Sequence, residues 1–189
     1  MLGLIRGLAD CDEKFFGGWI LARAQIDIDG RADTYVNKIV QQRRHRAVMQ
    51  VQGARDGIVC QSMQVLLLLP DKDLMQHRAD EHTAVQNSDI LLTHRFTQQE
   101  IDAYVRQSGD ENIIHKRRDN ERVIVPGLCM SYFLQRQLKL TLLHWRISFL
   151  APVFADDEVA FILADEIIKA YVQDKLVLKI EVQNNEFSH

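Results

Sequence analysis

Phe96 to His115 reads FTQQEIDAYVRQSGDENIIH. Thr97 puts a side-chain oxygen where a helix would begin, and Glu100 follows three residues later. That reciprocal arrangement satisfies two otherwise unpaired N–H groups at a helix N-terminus. Ile101, Tyr104 and Val105 then fall at i, i+3 and i+4, one apolar face of the helix QQEIDAYVRQ. Gly109 ends it, since glycine enters the left-handed conformation without steric cost. Directly after that stop come Asp110, Asn112 and His115. One short loop thus delivers a carboxylate and an imidazole, a pairing suited to moving protons near neutral pH.

Before this helix, Asp89 to Phe96 (DILLTHRF) reads as a strand. Beyond the loop, Val123 to Leu140 (VIVPGLCMSYFLQRQLKL) reads as a central helix, with Pro126 in the first turn where its missing N–H is harmless. Three extended segments close the chain, at 142–150, 158–166 and 169–183; in the last, Leu176, Leu178, Ile180 and Val182 alternate with polar neighbours. Upstream, the polar stretch Asp71 to Ser88 reads as a connector. Ahead of it, Phe15 to Gln25 (FFGGWILARAQ) reads as a buried helix, weakened at its start by Gly17 and Gly18. Segments 34–41, 46–52 and 57–69 read as strands, the last two joined through GARDG as a hairpin. Helix followed by three strands therefore occurs twice.

The expected class is α+β, and the order resembles a hotdog fold, in which a curved antiparallel sheet wraps a long helix. Two units in one chain give a double hotdog with two long central helices, whose sheets join side by side and remove an exposed edge. The expected boundaries are 1–75 for a degenerate, noncatalytic N-terminal unit, 76–88 for the connector and 89–189 for the C-terminal unit.

The pattern FTxxxIxxYxxxSGDxNxIH resembles the hydratase motif of MaoC-like R-specific enoyl-CoA hydratases and 3-hydroxyacyl thioester dehydratases, which usually reads SGDxNPxH. Val123 to Met130 (VIVPGLCM) resembles the start of that family's central helix, and FLAP at 149–152 followed by VFADD resembles its F-x-x-P-V-x-x-G-D turn. The three matches come in family order and span residues 89–189. The resemblance implies Asp110 and His115 as the catalytic pair, Asn112 as support for their loop, and the Gly127 N–H as the contact to the thioester carbonyl. Ser108 is expected to shape the loop. Departures are Ile113 in place of the family's proline, Pro126 in place of its histidine, and a short charged segment, KRRDNER, after His115. Proline before that glycine occurs in related acyl-carrier-protein dehydratases.

The chemistry is coherent without the family. Hydrating an alkene conjugated to a thioester needs a base for water, an acid for the α-carbon, and a donor for the developing enolate oxygen. A helix N-terminus at Gly127 offers unpaired N–H groups and a favourable dipole for that oxygen. Lys116, Arg117 and Arg118 would meet coenzyme A phosphates or an acidic acyl carrier protein, although charge runs are more often solvated faces. The first half, lacking an Asp110–His115 counterpart, is expected to widen the acyl tunnel. Phe16-Gly17-Gly18-Trp19 faintly resembles a helix of hotdog acyl-CoA thioesterases.

A net charge of −3, with 47% hydrophobic and 26% charged residues, describes an ordinary globular chain and gives no support to nucleic-acid binding. Cys11, Cys60 and Cys129 are too scattered for a disulfide framework or a zinc site, and His77 and His82 read as surface residues rather than metal ligands. The N-terminal stretch lacks the pattern of a signal peptide, and the longest apolar run, Val65 to Leu69, cannot span a membrane. The expectation is a cytoplasmic enzyme without metal or redox cofactor, acting on acyl-CoA or acyl carrier protein. Hotdog units commonly pair, so a homodimer is expected unless the double unit substitutes for one. Two other functions fit the same residues: thioester hydrolysis, and acyl-thioester binding without turnover.

Overall fold

The computed structural model describes residues 1–11, 17–69, 90–116 and 122–182. Its elements run α1 (Leu2–Ala9), β1 (Ile20–Ile28), β2 (Thr34–Arg43), β3 (Arg46–Arg55), β4 (Ile58–Leu68), β5 (Ile90–Arg95), α2 (Gln98–Ser108), α3 (Gly127–Gln137), β6 (Leu143–Phe149), β7 (Glu158–Ala164), β8 (Ile167–Val172) and β9 (Lys175–Val182). The strands form one nine-stranded sheet in the order β2-β3-β4-β1-β6-β9-β8-β7-β5, and every neighbouring pair is antiparallel.

That order has a centre. Read outward from the β1–β6 seam, one side gives β1, β4, β3, β2 and the other gives β6, β9, β8, β7. Each series is the same path through its half of the chain. Only β5, at the outer edge of the second half, has no counterpart among the described residues. At the seam, Ile26 opposes Trp145 and Ile28 opposes Leu143, all of them buried. The two halves therefore share one apolar core rather than building two.

Several expected elements form as the local chemistry requires. Thr97 caps α2, its hydroxyl accepting from the Glu100 N–H while the Glu100 carboxylate accepts from the Thr97 N–H at 2.8 Å. Gly109 closes α2 at φ 77°, its N–H donating to the Val105 carbonyl. Asp56 and Gly57 both take positive φ, the turn that joins β3 to β4 with the natural strand twist.

Other expectations are corrected. Of the helix expected over Phe15 to Gln25, the described residues 17–25 are not helical. Gly17 and Gly18 form a turn, and from Ile20 the chain is strand β1. Ala22, Ala24, Ile26 and Ile28 point inward while Arg23 and Gln25 point out, the period of two that a strand requires. The helix of the first half lies earlier, at α1, and its eight residues make it short. The picture of two long central helices therefore fails in the first half. Residues 123–125 are extended, with Ile124 bridged to Phe154, so α3 begins at Gly127 and ends at Gln137. The segment read as one strand from Lys169 is a hairpin, β8 and β9, turning at Gln173 and Asp174. The connector, His77, His82, Phe16, Arg117 and Arg118 lie outside the described residues. Among the described residues no helix is long and apolar enough to cross a membrane.

Candidate active site

The left-handed turn at Gly109 swings the chain away from α2 and points Asp110 back across the helix end. Ser108, fully buried, fixes that bend: its hydroxyl donates to the Val105 carbonyl at 3.4 Å and accepts the Asp110 N–H at 3.3 Å. Asp110 Oδ1 then accepts the Asn112 N–H at 3.1 Å, so the loop folds onto its own carboxylate. A single 3-10 turn, Ile113–His115, returns the imidazole to the same side. The result is Asp110 Oδ2 at 3.6 Å from His115 Nε2, with side-chain exposures of 25% and 8%.

His115 Nδ1 lies 2.7 Å from the Ile124 carbonyl oxygen. A carbonyl can only accept, so Nδ1 carries the hydrogen, and in the neutral ring Nε2 is left with its lone pair facing Asp110. The extended segment before α3 is therefore what sets the tautomer, which a helix beginning at Val123 could not do in the same way.

Asn112 reaches in the opposite direction. Its Nδ2 donates to the Trp19 carbonyl at 2.7 Å, and its Oδ1 accepts from the Gly18 N–H at 3.3 Å and from the Ile114 N–H at 3.4 Å. The loop is thus pinned to the first half of the chain. Arg6 of α1 adds a second tie, its Nε donating to the Gln107 carbonyl in the last turn of α2 at 2.9 Å. Neither tie is visible as a motif, although the Gly17-Gly18 pair is a turn signal that places Trp19 at the start of an extended run.

Gly127 begins α3 after Pro126. The amides of Cys129 and Met130 both donate to the Pro126 carbonyl, at 2.9 and 3.4 Å. Those of Gly127 and Leu128 have no acceptor within the helix. Glycine is required here, since a Cβ at position 127 would stand 2.5 Å from the Phe149 ring. That close approach leaves the backbone bare toward a cavity of about 190 Å³, lined jointly by Asp110, Asn112, His115 and Gly127. The rest of the wall is mostly apolar and comes from both halves, with Ile5 and Leu8 of α1, Met49 of β3 and Leu67 of β4 facing Val125 and Phe149.

Lys116 does not join this group. Its ammonium pairs with the Glu111 carboxylate at 2.5 Å, and it is not part of the cavity wall. Cys129, behind the site, is no nucleophile. Burial, and then the charges of Glu100 and Asp110, push its thiol up to about 12, so it stays protonated. Tyr104 is also buried, and burial foremost holds its phenol well above its ordinary range. Among the described residues no three His, Cys, Asp or Glu side chains gather in a metal-binding arrangement.

No family model matches the chain, and no curated protein matches its sequence. Solved structures do match its shape. HtdX of Mycobacterium tuberculosis superposes with a TM-score of 0.67 at 14% identity, over 88% of this chain and 77% of its own. A MaoC-like dehydratase from Phytophthora capsici gives 0.58 at 13%, covering 88% and 72%. An acyl-ACP thioesterase from Bacteroides thetaiotaomicron gives 0.54 at 12%, covering 87% and 75%. At such identities the likeness establishes the fold: an α+β, hotdog-like fold whose structural neighbours are MaoC-like dehydratases and also thioesterases.

Proposed function

We propose that this protein adds water reversibly to trans-2-enoyl thioesters, giving R-3-hydroxyacyl thioesters, on a double-hotdog frame in which the first half is noncatalytic. The observation that carries the reading is the 3.6 Å approach of Asp110 Oδ2 and His115 Nε2 on the wall of a cavity that also holds the bare N-terminus of α3. The R configuration is what the resemblance of the SGDxN loop implies.

In this reading the thioester carbonyl lies against the Gly127 N–H and the acyl chain fills the apolar part of the cavity. Water sits between Asp110 and His115. His115 Nε2 takes its proton, because Nδ1–H is committed to the Ile124 carbonyl. The hydroxide oxygen bonds to C3, and the alkene electrons move to the thioester oxygen, where the helix-tip amide stabilises the enolate. The imidazolium then returns the proton to C2 as the enolate collapses. Asp110 orients the water and steadies the imidazolium. The reverse sequence dehydrates the 3-hydroxyacyl thioester. No redox change occurs and every proton is accounted for.

The test is loss of the conjugated enoyl absorbance on adding protein to trans-2-enoyl thioesters of short, medium and long chain, carried on coenzyme A or on acyl carrier protein. Activity is expected with wild type and is expected to disappear in Asp110→Asn. Wild-type protein inactive on all of these substrates overturns the reading. The likeness to an acyl-ACP thioesterase favours hydrolysis as the second reading. Release of free thiol without consumption of the alkene would select it.

A further inference from the structure

We propose that Lys175 holds a phosphate of the arm that carries the acyl group, fixing the entrance through which the thioester reaches Asp110 and His115; this rests on the thioester reading above. Apart from the Asp110–Asn112–His115 cluster, the described cavity wall carries one charged side chain, Lys175. It is exposed and opens β9 directly after the β8–β9 turn. A residue that is both solvent-exposed and part of the wall belongs at the mouth.

Lys175 differs from several other cations of the second half. Lys116 is held by Glu111, Arg122 by Asp157, Arg95 by Glu158 and Lys179 by Glu181. No carboxylate pairs with Lys175 among the described residues. Of the three cations the sequence offered for phosphate, Lys116 is already paired and Arg117 and Arg118 lie outside the described residues, whereas Lys175, which the sequence did not single out, lines the cavity and has no carboxylate partner among the described residues.

Backbone hydrogen bonds join β9, which begins at Lys175, to the segment that packs beside Gly127. The Val125 N–H donates to the Val153 carbonyl, and both Leu150 and Ala151 donate to the Val177 carbonyl. These bonds tie the lining residues Val125, Val153 and Ala151 to β9, the strand that Lys175 opens, so Gly127 and Lys175 belong to one wall of the same cavity. A thioester with its carbonyl against Gly127 can lay its pantetheine arm along that wall and bring its phosphate to the ammonium at the rim. The shared chemistry is a phosphate ester on pantetheine, found in coenzyme A and in the prosthetic group of a carrier protein.

Crotonyl-CoA, crotonyl acyl carrier protein and crotonyl-pantetheine, which lacks phosphate, separate the possibilities. Lys175→Ala is expected to raise KM for a phosphate-bearing substrate about tenfold, the effect of losing one charge-assisted contact at an exposed rim, with kcat unchanged. KM for crotonyl-pantetheine should not move, the effect should shrink as salt is raised, and Lys175→Arg should restore it. A change with crotonyl-CoA alone or with the carrier protein alone supports the proposal and identifies the source. Equal changes on all three substrates, or none on either phosphate-bearing one, overturn it. If wild type turns over none of them, the hydration reading fails independently, and calorimetric titration with coenzyme A then decides for Lys175. About tenfold weaker binding by Lys175→Ala upholds the contact, and equal binding or none by wild type removes it.

Discussion

The two halves of this sheet follow the same strand path from a common seam, yet they carry different loads. The second half has a capped helix, a left-handed stop and a second eleven-residue helix with a buried first half, and its loops and helix start hold every polar group proposed for the chemistry. The first half has an eight-residue helix and, among the described residues, no carboxylate–imidazole loop on the cavity. What it contributes is restraint and wall. Gly18 and Trp19 grip Asn112, Arg6 grips the end of α2, and Ile5, Leu8, Met49 and Leu67 close one side of the cavity. A half to which the proposal gives no chemistry still holds the loop that carries Asp110 and His115, and both halves line the candidate cavity.

The sharpest contrast is between two carboxylate–imidazole pairs. Asp110–His115 faces the cavity. Asp27–His144, with Nδ1 at 3.4 Å from the carboxylate, straddles the β1–β6 seam and takes no part in the cavity wall. His115→Gln is expected to lower the hydration rate by at least about 100-fold without unfolding the protein, while Asp27→Asn should leave it within a factor of two or so, since it touches no proposed reacting group. A rate collapse in Asp27→Asn would break the assignment of chemistry to one half. Next in size is Trp145→Ala. Trp145 is fully buried on β6 opposite Ile26 of β1, and its truncation should cost about 3–5 kcal/mol. Because both halves share the core at that point, thermal unfolding should remain a single transition, lowered as a whole; two separate transitions would show that the units fold independently.

A third substitution tests the restraint. Asn112→Ala leaves the buried Trp19 carbonyl without its donor, a penalty of about 1–3 kcal/mol. If the tie serves the site as well as the fold, kcat should fall with little change in KM. Loss of stability with kcat intact would reduce Asn112 to a structural bond.

How much of this was legible in the sequence depended on how far apart the partners are. Thr97, Glu100 and Gly109 act on groups within a few residues, so their pattern alone located both ends of α2. Asp110, Asn112 and His115 share one loop; Asp110 and His115 approach each other, while Asn112 turns away toward Trp19. The helix expected at Phe15 to Gln25 failed because a short apolar run is ambiguous between helix and buried strand; the alternation from Ala22 to Ile28 carried the correct period, but it starts only after that run's midpoint. Leu4, Ile5 and Leu8 fall at helical spacing on α1, but that helix is short and has no side-chain cap of the kind that marks α2. Contacts across more than 90 residues, Asn112 with Trp19 and Arg6 with Gln107, have no local signature. The same holds for the Ile124 carbonyl that orients His115, a backbone atom whose role no side-chain motif can encode.

The smallest effect is expected at Arg6, and it asks which part of the first half does the restraining. Its guanidinium donates to the Gln107 carbonyl from an exposed position, and a cation beside the last turn of α2 also suits the helix dipole. Exposed bonds of this kind are worth about 0.5–1 kcal/mol, so Arg6→Ala should lower the melting temperature by a few degrees at most and slow hydration by less than about fivefold. Arg6→Lys keeps the charge near the helix end but not the planar donor, and should fall between wild type and Arg6→Ala. The decisive comparison is with Asn112→Ala under the same conditions. If Arg6→Ala slows the reaction as much, the loop is steered through α1 and the end of α2. If only Asn112→Ala does, the turn at Gly18 and Trp19 is the hold that matters, and α1 serves the cavity chiefly as wall.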